Sequence, residues 1–297
     1  MRLRRAALGW TALVLAGCWR FCGFAAAPKL PKSSHRPKQE LGQSPLEASW
    51  RCYLSDPNTI EKIFRSFRSG AASNAVVELG PGLGALTRLL AAEFPTMVAV
   101  EVDSRAVEAL ARDLPKLRVR HQDLLQLDHR EMRQELGDRL SVVANLPYSI
   151  TTEALLSLVR SPRAVRYALV MVQKEAAERI VAAEGSKDYG PLSVMLQLFT
   201  RPRQLYLVPA TAFYPQPKVT SAMVELDFLA EEEMPEVDSA MLLEVVKECF
   251  RQRKRALRHS LKAYLQQRRL ALPARWAKLR AERLKPGEFL ELARQLQ

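Results

Sequence analysis

The sequence predicts an α/β fold, a doubly wound, Rossmann-like sheet with a small C-terminal helical domain. Three observations carry this. Residues 75–79 read as a short buried strand and run directly into Gly80-Pro81-Gly82-Leu83-Gly84. Leu86, Leu89 and Leu90 then share one helical face. Strand, glycine loop and helix form the first unit of a doubly wound sheet, and its glycines let a backbone approach a ligand closely. A second strand, 97–100, ends in Glu101-Val102-Asp103. Helical spacing returns near the C-terminus. Residues 241–250 place Leu242, Val246 and Phe250 on one face, and the stripe resumes at Leu257, Leu261 and Tyr264. Pro273 and Pro286-Gly287 cut the remainder into short helices.

Composition bounds the reading. The chain has 297 residues, 45 Lys+Arg against 32 Asp+Glu, a net charge of +13 and 48% hydrophobic residues. That length suits one large domain or two modest ones, and the apolar content excludes disorder along the whole chain. Four cysteines, two of them (Cys18 and Cys22) in a segment expected to be removed, exclude a disulfide scaffold. Only one stretch, interrupted by Arg20, is persistently apolar, which excludes a polytopic membrane protein. The charge divides into +6 over residues 1–49, −4 over 50–248 and +11 over 249–297. Three regions follow: a targeting leader at 1–49, a sheet domain at 50–229 and a basic helical domain at 230–297, whose excess charge suits a polyanionic partner.

The leader starts with Arg2, Arg4 and Arg5 and continues in an apolar run of signal-peptide length over 6–17. Gly23-Phe24-Ala25-Ala26-Ala27 suits cleavage, and 28–49 hold four prolines and no acid before Glu40. The two parts together resemble a bipartite leader for plastids bounded by extra membranes, with a mitochondrial presequence as the alternative. Leu15-Ala16-Gly17-Cys18 also matches a bacterial lipoprotein box. No stable membrane association is expected once the leader is gone.

The glycine loop alone is ambiguous, because Gly80-x-Gly82-x-x-Ala85 also fits a relaxed dinucleotide fingerprint. Two features favour S-adenosylmethionine. Glu78 precedes the glycines, where it would sit poorly beside a pyrophosphate but suits a ligand carrying an amino group. Two further acidic stations then follow in order. Glu101, 21 residues after Gly80, can accept both ribose hydroxyls. Asp123, after the short segment 119–122, can accept the adenine amine or act as a helix N-cap.

Strand 140–144 ends in Asn145-Leu146-Pro147-Tyr148. The exocyclic amine of adenine is a poor nucleophile because its lone pair is delocalised into the ring. Acceptors on the amine hydrogens, the Asn145 side chain and the Leu146 carbonyl, would bend that nitrogen and align it with a methyl group. Pro147 would fix the loop and Tyr148 would stack on the base. Positioning and charge stabilisation carry such a step, with no strong general base. The target adenine must first be unstacked. Phe213, before Tyr214-Pro215-Gln216-Pro217-Lys218 and the strand 221–226, is read either as a second stacking face or as a core aromatic. No metal site is assigned.

At these residues the sequence resembles the ribosomal RNA adenine dimethyltransferases, over roughly 50–297. The first motif, Val77-Glu78-Leu79-Gly80-Pro81-Gly82-Leu83-Gly84-Ala85-Leu86-Thr87, and the loop Asn145-Leu146-Pro147-Tyr148-Ser149-Ile150 are similar to the family's. So are Gln173-Lys174-Glu175, the stretch 186–194, the stretch 213–219, Phe250-Arg251-Gln252-Arg253-Lys254-Arg255 and Arg280-Ala281-Glu282-Arg283-Leu284. The resemblance implies dimethylation of two adjacent adenines near the 3′ end of small-subunit rRNA, by a monomer acting on the immature small subunit. It places cofactor contacts on Cys52, Leu54, Gly80, Gly82, Glu101, Asp123 and Asn145, and base contacts on Asn145, Tyr148 and Phe213.

One stretch departs. The family opens Gly-Gln-Asn/His-Phe-Leu before an Asp, and here Trp50-Arg51-Cys52-Tyr53-Leu54-Ser55-Asp56 stands in that place. Cys52 cannot donate as an amide does, so its contact would run through the backbone. The basic run Arg251, Arg253, Lys254, Arg255 and Arg258 is read as the phosphate-positioning surface, against the plainer reading of a solvated helix face. Two other functions remain open on sequence: a non-catalytic assembly or organellar transcription factor of the same fold, and a macrolide-resistance type enzyme acting on large-subunit rRNA.

Overall fold

The computed structural model describes residues 52–296, so the predicted leader and Trp50 and Arg51 lie outside the described residues. The strands are β1 (Tyr53–Leu54), β2 (Val76–Leu79), β3 (Val98–Glu101), β4 (Arg118–His121), β5 (Leu140–Asn145), β6 (Val165–Gln173), β7 (Thr200–Val208), β8 (Phe213–Tyr214) and β9 (Ser221–Phe228). The helices are α1 (Pro57–Gly70), α2 (Thr87–Glu93), α3 (Ser104–Asp113), α4 (His129–Leu136), α5 (Thr151–Arg160), α6 (Lys174–Ile180) and α7 (Pro191–Phe199). They continue with α8 (Ser239–Phe250), α9 (Leu257–Ser260), α10 (Lys262–Arg268), α11 (Ala274–Ala277) and α12 (Pro286–Gln295).

Seven strands form one sheet in the order β4-β3-β2-β5-β6-β9-β7. β4 through β6 run parallel, and β9 inserts antiparallel between β6 and β7. The order reverses between β2 and β5, which pair through Leu79 and Ala144. In open α/β sheets ligands bind at such a switch point, outside the carboxyl ends of the strands.

Alternating residues divide between two apolar layers. Val77, Leu79, Val142, Ala144, Ala168 and Val170 face one layer, built with α5, α7, α8 and α12. Val76, Val143, Leu169 and Met171 face the other, built with Ile63 and Phe67 of α1 and Leu90 of α2. The first layer runs without interruption into Leu242, Val246, Phe289 and Leu292 of the C-terminal helices. The described residues therefore form one compact unit.

Caps fix several helix starts. Asp56 accepts from the Thr59 N–H (2.8 Å) and hydroxyl (2.5 Å), with Pro57 in the first turn of α1. Asp238 caps α8 through the N–H groups of Ala240 and Met241. The predicted interruption near residues 253–255 is a turn between α8 and α9, and Pro273 and Pro286 stand at the starts of α11 and α12.

Candidate active site

The glycine loop leaves β2 with Gly80, Gly82 and Gly84 all at positive φ (71°, 55° and 79°), a conformation that side chains strain. A Cβ at Gly84 would lie 2.8 Å from the end of the Leu110 side chain, which would have to shift to admit it. The Gly80 N–H donates to the Val100 carbonyl (2.9 Å), tying the loop to β3.

Glu101 ends β3 and is 6% exposed. Its Oε2 accepts from the Gly82 N–H (3.0 Å), and its Oε1 from the N–H groups of Val102 and Asp103 (both 2.9 Å). The carboxylate therefore holds the glycine loop in place. Asp123 lies just beyond β4 and caps the following short turn, accepting from the Leu125 N–H at 2.9 Å. The structure thus shows the capping role for Asp123 directly.

Glu78 lies beneath this loop, 4% exposed, and its Oε2 has no hydrogen-bond partner. Burial raises its pKa to about 8, and nearby Glu101 adds to the rise. The Thr87 hydroxyl lies close enough to offset part of the rise, yet its geometry falls short of a formed hydrogen bond. An orphaned buried carboxyl beside a glycine cradle fits a ligand that brings a cationic amine. S-adenosylmethionine carries one, together with a ribose for Glu101, so the residues present fit this cofactor.

The predicted catalytic loop stands at the adjacent strand end. Asn145 is the last residue of β5, paired with Met171, and its carbonyl oxygen is 3.9 Å from a Cβ placed on Gly80. Asn145 and the glycine loop therefore share one crevice. The buried Leu146 is held by its N–H on the Met171 carbonyl (3.2 Å). The Pro147 carbonyl accepts from the Ile150 N–H (3.2 Å) and the Thr151 hydroxyl (3.1 Å). The Tyr148 hydroxyl pairs with Ser221 Oγ on β9 at 3.0 Å. Burial keeps the half-buried Tyr148 phenol above its ordinary pKa, and so protonated; Cys52 lies near enough to add to this. The loop is therefore pinned along its whole length before any substrate arrives.

β1 pairs antiparallel with β8, setting Leu54 opposite Phe213 and Tyr53 opposite Tyr214. The Ser55 and Asp56 N–H groups both donate to the Ala212 carbonyl (2.9 and 3.2 Å). Two predicted contact residues far apart in sequence are thus joined. The Tyr53 ring lies 3.4 Å from a Cβ placed on Gly82, so it covers the glycine loop. Phe213 is 5% exposed and belongs to the apolar layer that includes Leu54, Met171 and Met223. In this arrangement it is a core aromatic at the rim of the crevice, and Tyr214 is the exposed ring, at 54%.

This crevice brings together a glycine cradle, a buried carboxylate at the end of β3 and a pinned Asn-Leu-Pro-Tyr loop. Residues 50–297 match the family model described as Ribosomal RNA adenine dimethylase. The chain belongs to that family. It is accordingly a methyltransferase. Among relatives of known assignment, Ribosomal RNA small subunit methyltransferase A of Salinibacter ruber is 38% identical over 288 residues, covering 93% of this chain and 94% of the relative. The protein of the same name from Thiobacillus denitrificans is 39% identical over 233 residues, covering 78% of this chain and 86% of its own. A match over 93% of the chain necessarily enters residues 1–49.

Two solved structures share the fold. A dimethyladenosine transferase from Plasmodium falciparum aligns with a TM-score of 0.66 at 21% identity, covering 80% of this chain and 95% of its own. The 23S rRNA methyltransferase ErmE aligns at 0.57 and 24% identity, covering 82% and 99%.

The family-like segments outside the crevice meet one another. Tyr189 is fully buried; its hydroxyl donates to the Leu284 carbonyl (2.9 Å), and its ring meets Phe250 edge-on. Arg253, expected on the phosphate-positioning surface, has partners within the protein. Its guanidinium donates to Glu282 (3.2 Å) and to the carbonyls of Lys187 (2.5 Å) and Ser186 (2.6 Å). It is an internal clamp between the catalytic sheet and the C-terminal helices. Arg251 is exposed and pairs with Glu248 (3.4 Å), and Arg258 is exposed with Nε on His259 (3.1 Å). Lys254 and Arg255 are exposed with no carboxylate within 4 Å among the described residues, as a phosphate contact requires.

Glu78, Tyr53 and Ser221 complete the site. Glu78 was legible from its place before the glycines. Tyr53 and Ser221 carry no local signal, because both act through strands remote in sequence.

Proposed function

We propose that the chain transfers methyl groups from S-adenosylmethionine to the N6 amine of adenines in small-subunit rRNA, two on each of two adjacent adenines near the 3′ end. The carrying observation is the pinned Asn145-Leu146-Pro147-Tyr148 loop, set at the switch point beside the glycine cradle. The small-subunit assignment rests on relatives of that name at 38–39% identity. When bound, the cofactor supplies an electrophilic methyl on a sulfonium. Asn145 Oδ1 and the Leu146 carbonyl accept the amine hydrogens and turn the nitrogen lone pair towards that methyl. Tyr148 supports the base face, and the surplus proton leaves to solvent.

The site of action we infer is an organelle, a plastid ahead of a mitochondrion. The basic, apolar and proline-rich leader supports this. The expected partner is the immature small subunit, met by a monomer. No helix among the described residues is long and apolar enough to cross a membrane.

Purified protein is expected to move labelled methyl groups from cofactor to immature small-subunit particles, and Asn145→Ala to abolish transfer while cofactor binding persists. Cofactor binding with no transfer to any rRNA would overturn the enzymatic reading. Mapping dimethyladenosine in organellar rRNA with and without the protein tests the position. A fluorescent fusion of residues 1–49 tests the address, and a diffuse cytosolic signal would refute it.

A further inference from the structure

A cleft of about 1010 Å³ opens at the amino ends of β5 and β6, the opposite end of the strands from the glycine loop. Four arginines line it: Arg130 and Arg133 from α4, Arg160 from the end of α5, and Arg163 from the turn before β6. Arg133 is committed, to Glu231 (2.8 Å) and to the Arg163 carbonyl (2.8 Å). Arg130, Arg160 and Arg163 are exposed, and none has a carboxylate within 4 Å among the described residues. Arg130 instead reaches the Ser161 hydroxyl at 3.3 Å. Two acids share the lining: Asp238 is engaged in capping α8, and Glu236 is exposed at the rim.

A neighbouring cavity of about 310 Å³ shares Arg130, Arg160 and Ser161 and reaches His129. His129 is 2% exposed, and its Nε2 has no hydrogen-bond partner. A buried polar nitrogen left unpaired carries a desolvation cost that a ligand can relieve. Three uncompensated guanidiniums around an open cleft, in a region whose overall charge is −4, are a local excess that composition conceals.

We propose that this cleft is a second phosphate-binding surface that takes a segment of RNA backbone. Guanidinium forks match phosphate oxygens bidentately. The exposed rim suits an extended polyanion rather than an enclosed small molecule, and a large RNA particle can present backbone to more than one face of a small enzyme. The inference rests on the rRNA reading above. The positive side chains here lie outside the crevice and outside the basic run 251–258, so they would hold the particle without touching the reacting base.

The test measures binding of full-length protein to immature small-subunit particles across a salt series. Arg130→Ala/Arg160→Ala/Arg163→Ala is compared with the native chain, with Arg160→Ala and Arg163→Ala as single controls for folding. Each lost phosphate contact flattens the slope of log affinity against log salt by about 0.7 to 0.9, so the triple variant is expected to lose about 2 to 3. Cofactor affinity and the melting temperature are expected to stay unchanged. The corresponding lysine variants are expected to keep most of the slope. An unchanged slope in a folded triple variant overturns the proposal. So does saturable binding of inorganic phosphate or tripolyphosphate that the variant loses while its RNA slope stays native, which assigns the cleft to a small phosphorylated ligand. If the native chain itself binds no particle, the rRNA reading falls and this proposal with it. If the native chain binds and methylates while the variant matches it, only this proposal falls.

Discussion

The Glu78 carboxyl is buried under the glycine loop with Oε2 unpartnered, and burial raises its pKa to about 8 against 4.5 for the free group. Between those values the unfolded chain releases a proton that the cofactor-free folded chain retains. Stability of the cofactor-free protein should therefore fall as pH rises from about 4.5 to about 8, by up to about 1.4 kcal/mol per pH unit. Urea unfolding across this range checks it, and Glu78→Gln should remove that share of the slope. A ligand ammonium beside Glu78 favours the carboxylate, so cofactor affinity should rise with pH over the same window and flatten in Glu78→Gln. Calorimetry in buffers of different ionisation enthalpy would read the released proton. Ser221 belongs to this scale too. Its hydroxyl meets Tyr148 at 3.0 Å while its own residue is fully buried. Ser221→Ala and Tyr148→Phe should each slow kcat several-fold with the KM for cofactor unchanged. Together they should be less than additive by about 1 kcal/mol. Asn145 and Tyr148 were legible in the sequence because they are contiguous with a strand end. Ser221 was not, because only the pairing of β6 with β9 brings it across.

At the scale of elements, the parts read best were those with a local signature. β2 and the glycine loop, β3 ending in Glu101, β5 ending in Asn145, and α8 all stand within a few residues of where spacing put them. β6 has no such signature. Its residues 167–172 are buried on both faces, so polarity does not alternate, and an apolar run of that kind is not separable from a helix by pattern. β1 and β8 are two residues each, too short to show a period, yet their pairing sets Tyr53 over Gly82. The basic run is legible only in part, for a related reason. Sequence shows charge but not direction, and Arg253 turns inward onto Glu282 and two carbonyls while Lys254 and Arg255 face out. Arg253→Ala should therefore cost stability, about 2 to 3 kcal/mol for the charged hydrogen bonds lost, with no change in the salt dependence of RNA binding. Lys254→Ala/Arg255→Ala should do the reverse. Melting curves and salt-series binding on the same two variants separate the roles.

At the scale of the whole molecule, net charge overstated the free basic surface of the C-terminal region. Arg251, Arg253, Arg268 and Arg275 there are each paired with a glutamate. Helical periodicity in turn predicted the C-terminal helices without showing what their apolar faces cover. They cover the catalytic sheet's own helices: α8 packs on α5 and α7, and α12 on α7 and α8. Tyr189 and Phe250, from the two sides of the predicted boundary at 229/230, share one aromatic cluster with Phe289. A boundary in sequence composition is therefore not a boundary in the core. Removing 230–297 would uncover α5 and α7 and take away Leu242, Val246, Phe289 and Leu292, all fully buried. Each such side chain contributes about 1.5 to 3 kcal/mol by burial, and a domain's whole net stability is only about 5 to 15 kcal/mol. Residues 50–229 alone should then give no cooperative melt and no cofactor binding, although every predicted cofactor contact lies within them. The full chain should unfold in one transition that cofactor shifts upward. A fragment of 50–229 that melts cooperatively and binds cofactor would mean that the C-terminal helices dock on a sheet already stable without them.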